Sequence, residues 1–269
     1  MTTTWRLIDT GPLDGVRNMA IDEALLRHFD PATSPPVLRL YGWQPAALSI
    51  GRFQKVEDDL DRVRISADRL TVVRRITGGG ALYHADELTY AVICAPHQIP
   101  AASSVKDSFR VVTSFLLALY QGLGLHAVYA ADAGQPDRRI GGRTPLCFAG
   151  TESYDILVNG RKLGGNAQRR QKAVIFQHGS IPLVDRWCEG LPYLRSRPEG
   201  LDAAVTSLAT EGSTADLPEL KQRLATCFSQ QLGGRLQPDG LSAAEQVTMQ
   251  RLIDAKYGAV TWNWGGEAV

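Results

Sequence analysis

The sequence predicts an α+β (mixed α/β) fold, a mixed β-sheet packed by helices. Three observations predict it. Five or more short apolar or alternating runs read as strands and precede a tail that reads as helices. Those runs are joined both by tight turns and by helical stretches, so hairpin and crossover connections are mixed. The 269 residues are 44% hydrophobic and 21% charged, enough for a substantial core and ordinary for a globular chain. No internal repeat and no low-complexity linker interrupts the chain, so we expect one catalytic-size domain over 1–269, with a helical segment from about 200 to 269 and no separate accessory domain.

Taken in order, Trp5 to Ile8 reads as a strand and Pro12 to Gly15 as a turn. Asn18 is placed to cap a helix running to about Phe29, with Ile21, Leu25 and Phe29 on one face and Asp22 and Glu23 complementing the dipole. Pro31, Pro35 and Pro36 stop it. Val37 to Tyr41 and Ala46 to Ile50 read as strands about a Gly-Trp-Gln-Pro turn, and Asp58 to Arg69 as a helix. Val105 to Gln121 is the clearest helix, with Phe109, Val112, Phe115, Leu116 and Leu119 at helical spacing before Gly122 and Gly124. Leu125 to Tyr129 reads as a strand. Ala131 to Pro145, polar and rich in Gly, Arg and Asp, reads as a surface loop of the kind that forms lids. Asn159-Gly160 between alternating runs signals a hairpin, with Val158 facing Arg161 and Leu157 facing Lys162. Lys162 then shares a sheet face with Asp155. Ala173 to Gln177 is a further strand. Asp216 to Leu232 and Ser242 to Tyr257 read as helices, followed by an aromatic cluster of Tyr257, Trp262 and Trp264.

The most informative stretch is Leu70 to Ala95, LTVVRRITGGGALYHADELTYAVICA. Two strand-like runs flank Arg74-Arg75, the triplet Gly78, Gly79 and Gly80, and Tyr83-His84. Glycine lets backbone lie directly against a ligand, and bare N–H groups beside arginines suit a carbonyl or phosphate oxygen. A bare glycine triplet is equally consistent with a tight turn. His84 reads either as a substrate-orienting group or as a satisfied, half-buried histidine.

Lys+Arg is 29 against Asp+Glu 28, so net charge points to neither nucleic acid nor membrane. No apolar run approaches the ~20 residues of a membrane helix, and MTTTWRLIDTG lacks the build of a signal peptide, so we expect a cytoplasmic protein. Cys94, Cys147, Cys188 and Cys227 form no CxxC, and the histidines show no metal spacing, so no metal site is expected. Cys147, after the arginine-rich loop and before a hairpin carrying Lys162, is the thiol best placed for chemistry, since a nearby cation favours the thiolate. As residue types alone, Cys147 better suits a core position and Lys162 a solvated strand. Neither standard nucleotide loop is present. Arg161, Lys162, Arg169, Arg170 and Lys172 form a basic cluster, either a guarded strand edge or a landing patch for an acidic protein.

RRITGGGALYH resembles the glycine-loop motif of the lipoate-protein ligase and octanoyltransferase superfamily, which is related to biotin protein ligases. NMAIDEALL (Asn18 to Leu26), GRKLGGNAQRRQKAVIFQHGSI (Gly160 to Ile181) and KYGAVTWNWG (Lys256 to Gly265) are similar to it too, so the resemblance spans most of the chain. Cys147-Phe148 ahead of Gly160-Arg161-Lys162 resembles the cysteine-bearing octanoyltransferases. The resemblance implies a biotin/lipoate protein ligase-like catalytic domain. It further implies that Cys147 takes octanoyl from octanoyl-acyl carrier protein as a thioester and passes it to one lysine of a lipoyl domain. The glycine-cleavage H protein or a 2-oxoacid dehydrogenase subunit would be the acceptor, and Lys162 would lower the Cys147 pKa. Arg75, Gly78, Gly79, Gly80, Ala81, Tyr83 and His84 would bind substrate. An incoming thioester is already activated, so no cofactor is implied. ATP and Mg would enter only for the alternative, a ligase working through lipoyl-AMP. Octanoyl transfer between lipoyl domains and a non-catalytic carrier-binding module are further alternatives. Gly80, where these octanoyltransferases often carry Arg, and Ala85 after the histidine depart from the pattern, whereas Asp86 to Tyr90 conforms to it.

Overall fold

The computed structural model describes residues 3–101, 104–134, 138–139, 150–171, 173–196, 200–201 and 203–266. Its largest sheet holds six strands in the spatial order β12 (Gly165–Gln171), β13 (Val174–Pro182), β6 (Glu87–Cys94), β2 (Val37–Trp43), β1 (Thr4–Leu13) and β15 (Arg235–Pro238). The β12–β13, β13–β6 and β6–β2 pairs are antiparallel, while β2–β1 and β1–β15 are parallel. A three-stranded sheet places β3 (Ala47–Ile50) between β4 (Thr71–Arg74) and β5 (Leu82–His84). A four-stranded sheet runs β14 (Val205–Thr206), β11 (Arg161–Leu163), β10 (Ile156–Val158) and β7 (Ala127–Tyr129). A short backbone ladder joins β8 (Arg138–Arg139) to β9 (Gly150–Thr151). The class, mixed β-structure packed by helices, is the one the sequence predicts, but the strands divide among several sheets rather than forming one.

Period-two alternation distributes the large sheet's side chains between two cores. Leu38 and Leu40 of β2, with Leu88, Tyr90 and Val92 of β6, meet α4 (Val105–Gly122) and α5 (Leu217–Leu232) through Phe115, Leu119 and Phe228. Val37 and Tyr41, with Ala91 and Ile93, meet α1 (Gly15–His28) and α6 (Ala243–Leu252) through Ile21, Leu25 and Leu252 on the other face. Because both faces of β6 are covered, all eight of its residues are buried, and its run ELTYAVIC is near-continuously apolar. The small sheet has its own core around Leu48, Ile50, Ile65 and Val72.

Several elements differ from their sequence reading. Asp14, not Asn18, caps α1 by accepting from the Arg17 N–H. Asn18, Asp22 and Glu23 lie buried within the helix and bond to other elements, so their role is tertiary rather than dipolar. The segment read as one helix over 58–69 is two short ones, α2 (Val56–Asp59) and α3 (Arg62–Ala67). Leu60 between them is buried in a bridge with Leu194, and Asp61 caps the second helix. The strand β5 follows the glycine loop and precedes β6. The tail contains strands as well as helices: β15 adds to β1 at the sheet edge, and two π-helical segments, Ile253–Tyr257 and Thr261–Gly265, follow α6. Of the loop over 131–145, only 131–134 and 138–139 fall within the described residues.

Candidate active site

Residues of both motif stretches converge on one cleft. From β5, Leu82 and His84 point into it, two residues apart and therefore on the same face. Met19 of α1 and Tyr41 and Trp43 of β2 complete an apolar wall. Ser49, Arg75 and His178 add polar groups, and Gly165, Asn166 and Gly179 bring in backbone from β12 and β13. Trp43 stacks flat on the His84 ring, with centroids 3.8 Å apart.

The glycine loop is shaped by close approach. A Cβ on Gly51 would lie 1.9 Å from the Gly79 carbonyl oxygen, so the loop folds against a residue that has no side chain. Gly79 itself takes φ 94°, a conformation that favours glycine. The Arg75 Nη2 donates to the carbonyls of Gly78 at 3.0 Å and Gly80 at 2.9 Å, and Nη1 donates to Ser49 Oγ at 2.7 Å. Arg75 therefore braces the loop as well as lining the cleft. Among the described residues none accepts from the N–H groups of Gly78, Gly79 or Gly80.

Of the expected substrate contacts, Arg75 and His84 line the cleft, Gly78, Gly79 and Gly80 are not among its lining residues, and Tyr83 and Ala81 point elsewhere. Tyr83 lies on the opposite face of β5, where it stacks near Tyr193 and packs against Gly190. Ala81 is buried in the core of the small sheet. Alternation along the strand accounts for Tyr83: its neighbours at 82 and 84 take the cleft side.

Each histidine of the cleft joins a hydroxyl to a buried carboxylate. His84 Nδ1–H donates to Glu87 Oε1 at 2.8 Å, and its Nε2 accepts from the Ser49 hydroxyl at 2.6 Å. His178 Nδ1–H donates to Asp22 Oδ2 at 3.4 Å, and its Nε2 accepts from the Thr77 hydroxyl at 2.7 Å. These tautomers follow from the partners, because a carboxylate only accepts. Burial pushes the Glu87 carboxyl up, but His84 and the hydroxyls of Thr89 and Ser180 outweigh it and hold the group below the usual carboxylate value. Burial likewise opposes ionisation of Asp22, and Arg39 and His178 overcome it. Burial holds the His178 imidazole below its ordinary value against the pull of Asp22. Arg39, fully buried, donates to Asp22 at 2.6 Å and to the Asn18 side chain at 2.7 Å.

Asn159 and Gly160 take φ 51° and 78°, as a two-residue hairpin turn of this type requires, and Leu157 pairs with Lys162 as predicted. Lys162 is buried, and its Nζ lies 2.7 Å from the Asp155 carboxylate, the residue expected on its face. Lys162 stands three residues before Gly165 of the cleft wall. Cys147 lies outside the described residues. The basic cluster is dispersed: Arg161 pairs with Glu211, Arg169 donates to the Ile76 carbonyl, and Lys162 is buried, while Lys172 also lies outside the described residues.

The terminal motif braces the site from behind. Arg74, buried, donates to the carbonyls of Gly51, Gln54, Trp262 and Trp264. Lys256 and Tyr257 both donate to Glu23 of α1, and Tyr257 meets Trp262 edge-on, while Trp264 joins the small sheet's core instead.

Sequence reasoning missed Ser49, Glu87, Asp22, Arg39, Trp43 and Met19. Two signals were available: an arginine between leucines in VLRLY marks a buried cation, and Asn18 and Asp22, four apart and so on one face of the first helix, mark its partners. Among the described residues no group of three or more His, Cys, Asp or Glu side chains is placed to hold a metal ion, and no helix is long and apolar enough to cross a membrane.

Comparison with known proteins identifies the family and the fold. The lipoyl protein ligase A/B catalytic-domain model matches residues 14–229. The octanoyltransferase LipM of Symbiobacterium thermophilum is 37% identical over 273 residues, covering 98% of this chain and 99% of its own. That of Bacillus subtilis is 34% identical over 274 residues, covering 97% and 98%. Among solved structures, a lipoate-protein ligase A bound with ATP superposes with a TM-score of 0.81 at 24% identity, covering 99% of this chain and all of that one. A bi-partite lipoate protein ligase from Thermoplasma acidophilum gives 0.78 at 23%, covering 100% and 98%. At such identities these two speak for the fold. The chain belongs to the lipoyl protein ligase A/B catalytic-domain family.

Proposed function

We propose that this acyltransferase moves an octanoyl group from octanoyl-acyl carrier protein, through a thioester on Cys147, to the acceptor lysine of a lipoyl domain. The observation that carries the reading is the cleft itself, where Arg75, Leu82 and His84 of the first motif meet Gly165, Asn166 and His178 of the Gly160 to Ile181 motif beside an apolar wall. Burying about six CH₂ groups there contributes ~5 kcal/mol at ~0.8 kcal/mol each. The relatives named octanoyltransferase support the choice of acyl group, and the lipoyl protein ligase family supports the class of acceptor.

In the proposed sequence the Cys147 thiolate attacks the donor thioester, a C–S bond forms as another breaks, and the carrier thiol leaves. The acceptor amine then attacks the enzyme thioester, forming the amide and releasing Cys147. Thioester exchange is near-isoenergetic and amide formation is downhill, so neither ATP nor magnesium takes part. Lys162 supplies the positive charge that favours the thiolate. The N–H groups of the glycine loop suit an oxyanion, a contribution often worth ~3 kcal/mol per donor. The setting is cytoplasmic, with the glycine-cleavage H protein or a 2-oxoacid dehydrogenase subunit as acceptor.

The test mixes the protein with octanoyl-acyl carrier protein and an apo lipoyl domain, with ATP absent. Octanoylated lipoyl domain is the expected product. Product that forms only from free lipoate and ATP, with lipoate-dependent ATP–pyrophosphate exchange, would establish the ligase instead.

A further inference from the structure

The two histidines of the cleft are wired alike and differ in what stands behind them. Asp22, behind His178, already faces the buried Arg39 guanidinium at 2.6 Å and accepts from Tyr41 at 3.0 Å. Its hydrogen bond to His178 is long, at 3.4 Å. Its charge is matched, and little remains to stabilise an imidazolium. Glu87, behind His84, accepts from the hydroxyls of Thr89 and Ser180, and among the described residues no arginine or lysine pairs with it. Its charge is available to a proton on His84 at 2.8 Å.

Other groups face His84 as well. Arg75, following β4, shares Ser49 Oγ with it and opposes a second positive charge. His178 on β13 would add another if protonated, but burial keeps it neutral. Tyr41 on β2 stays protonated, its acidity weakened by burial and by Asp22. Ser49 Oγ accepts from Arg75 and donates to His84, which leaves one lone pair toward the cleft that it lines.

We propose that Ser49, His84 and Glu87 form a proton relay that takes the proton from the acceptor's ammonium group, with His84 as base. The inference rests on the acyl-transfer reading above. The incoming lysine gives a proton to Ser49 Oγ as the Ser49 proton passes to His84 Nε2, and Glu87 holds the imidazolium through Nδ1–H. The freed amine attacks the acyl carbonyl: the C–N bond forms, the C–S bond to Cys147 breaks, and a second nitrogen proton goes to the departing thiolate. The proton on His84 then returns to solvent. Glu87 acts through His84 and is a positioning residue.

The test separates the two half-reactions in Glu87→Gln and Ser49→Ala. Transfer to an apo lipoyl domain at neutral pH should fall by about a hundredfold or more, the scale of general-base catalysis, while loading of octanoyl from its carrier stays within a few-fold. The transfer deficit should shrink as pH rises toward the range where lysine loses its proton unaided. Equal losses in both half-reactions, or no loss in transfer, would overturn the relay. Nitrogen NMR of the wild-type imidazoles reads the same point without any variant: His84 should carry its proton on Nδ1 at neutral pH. A wild-type protein that takes up no acyl group overturns the function itself; uptake together with an Nε2–H tautomer at His84 overturns the relay alone.

Discussion

Arg74 and Trp262 exchange two hydrogen bonds across 188 residues of sequence: Arg74 Nε donates to the Trp262 carbonyl at 2.9 Å, and Trp262 Nε1 donates to the Arg74 carbonyl at 3.0 Å. The strand that enters the glycine loop is thus fastened to the end of the chain. Burial lowers the Arg74 pKa, with Arg52 adding to the effect, and the carbonyls around the guanidinium satisfy it. Trp262→Phe should cost ~1–3 kcal/mol by leaving one buried carbonyl unpaired. Arg74→Met should cost more, since the Gly51, Gln54 and Trp262 carbonyls all lose their donor. Urea unfolding of the two variants should rank them in that order; equal midpoints would deny Arg74 this role.

Gly51 and Gly78 make a matched pair. A Cβ at Gly51 meets the Gly79 carbonyl at 1.9 Å, whereas one at Gly78 meets nothing within 4 Å. Gly51→Ala should displace the loop, cost ~1–3 kcal/mol and lower acyl transfer. Gly78→Ala should leave the thermal midpoint within a degree or two of wild type.

The buried ionisable groups give stability a definite pH dependence. Asp22 and Glu87 have depressed values in the folded protein, so their contribution is present above their ordinary values of 3.8 and 4.5 and is lost as pH falls through the lower folded ones. His178 is also depressed, from an ordinary 6.5. The unfolded chain therefore binds its proton first, and stability falls as pH drops below 6.5. Urea midpoints should decline in two stages, the first beginning near pH 6.5 and the second below 4.5. His178→Gln should abolish the first stage and keep the second.

Met19 sets part of the apolar wall. Met19→Ala should shift preference toward acyl chains one or two carbons longer, by about fourfold per added CH₂ at ~0.8 kcal/mol. Met19→Trp should exclude octanoyl. Competition between octanoyl and decanoyl carrier proteins measures the ratio; an unchanged ratio in both variants would place the acyl chain elsewhere.

What could be read from the sequence was local. The Asn159-Gly160 turn fixes its hairpin register, and with it the face that Lys162 shares with Asp155. Asp216 and Ser242 cap their helices where side-chain chemistry says they should. Arg75 and His84 reach the cleft because the motif itself bends there. The remaining site residues depend on which strands lie side by side. Ser49 belongs to the cleft because β3 pairs with β5, and Glu87 because the bend at Ala85-Asp86, with Asp86 at φ 46°, brings it back to His84. Tyr83 shows the converse: its neighbours are right, but the face is decided by where the core lies. Asn18, polar and near a helix start, looked like a cap, whereas its partners Leu13, Gly42 and Arg39 come from the packed sheet.

The most direct test of the central claim is the intact mass of the protein after incubation with octanoyl-acyl carrier protein alone. The account predicts one octanoyl group per chain, removed by hydroxylamine and absent from Cys147→Ala, which should also fail to octanoylate a lipoyl domain. A wild-type protein that remains unmodified, or a Cys147→Ala protein that transfers at the wild-type rate, would contradict it.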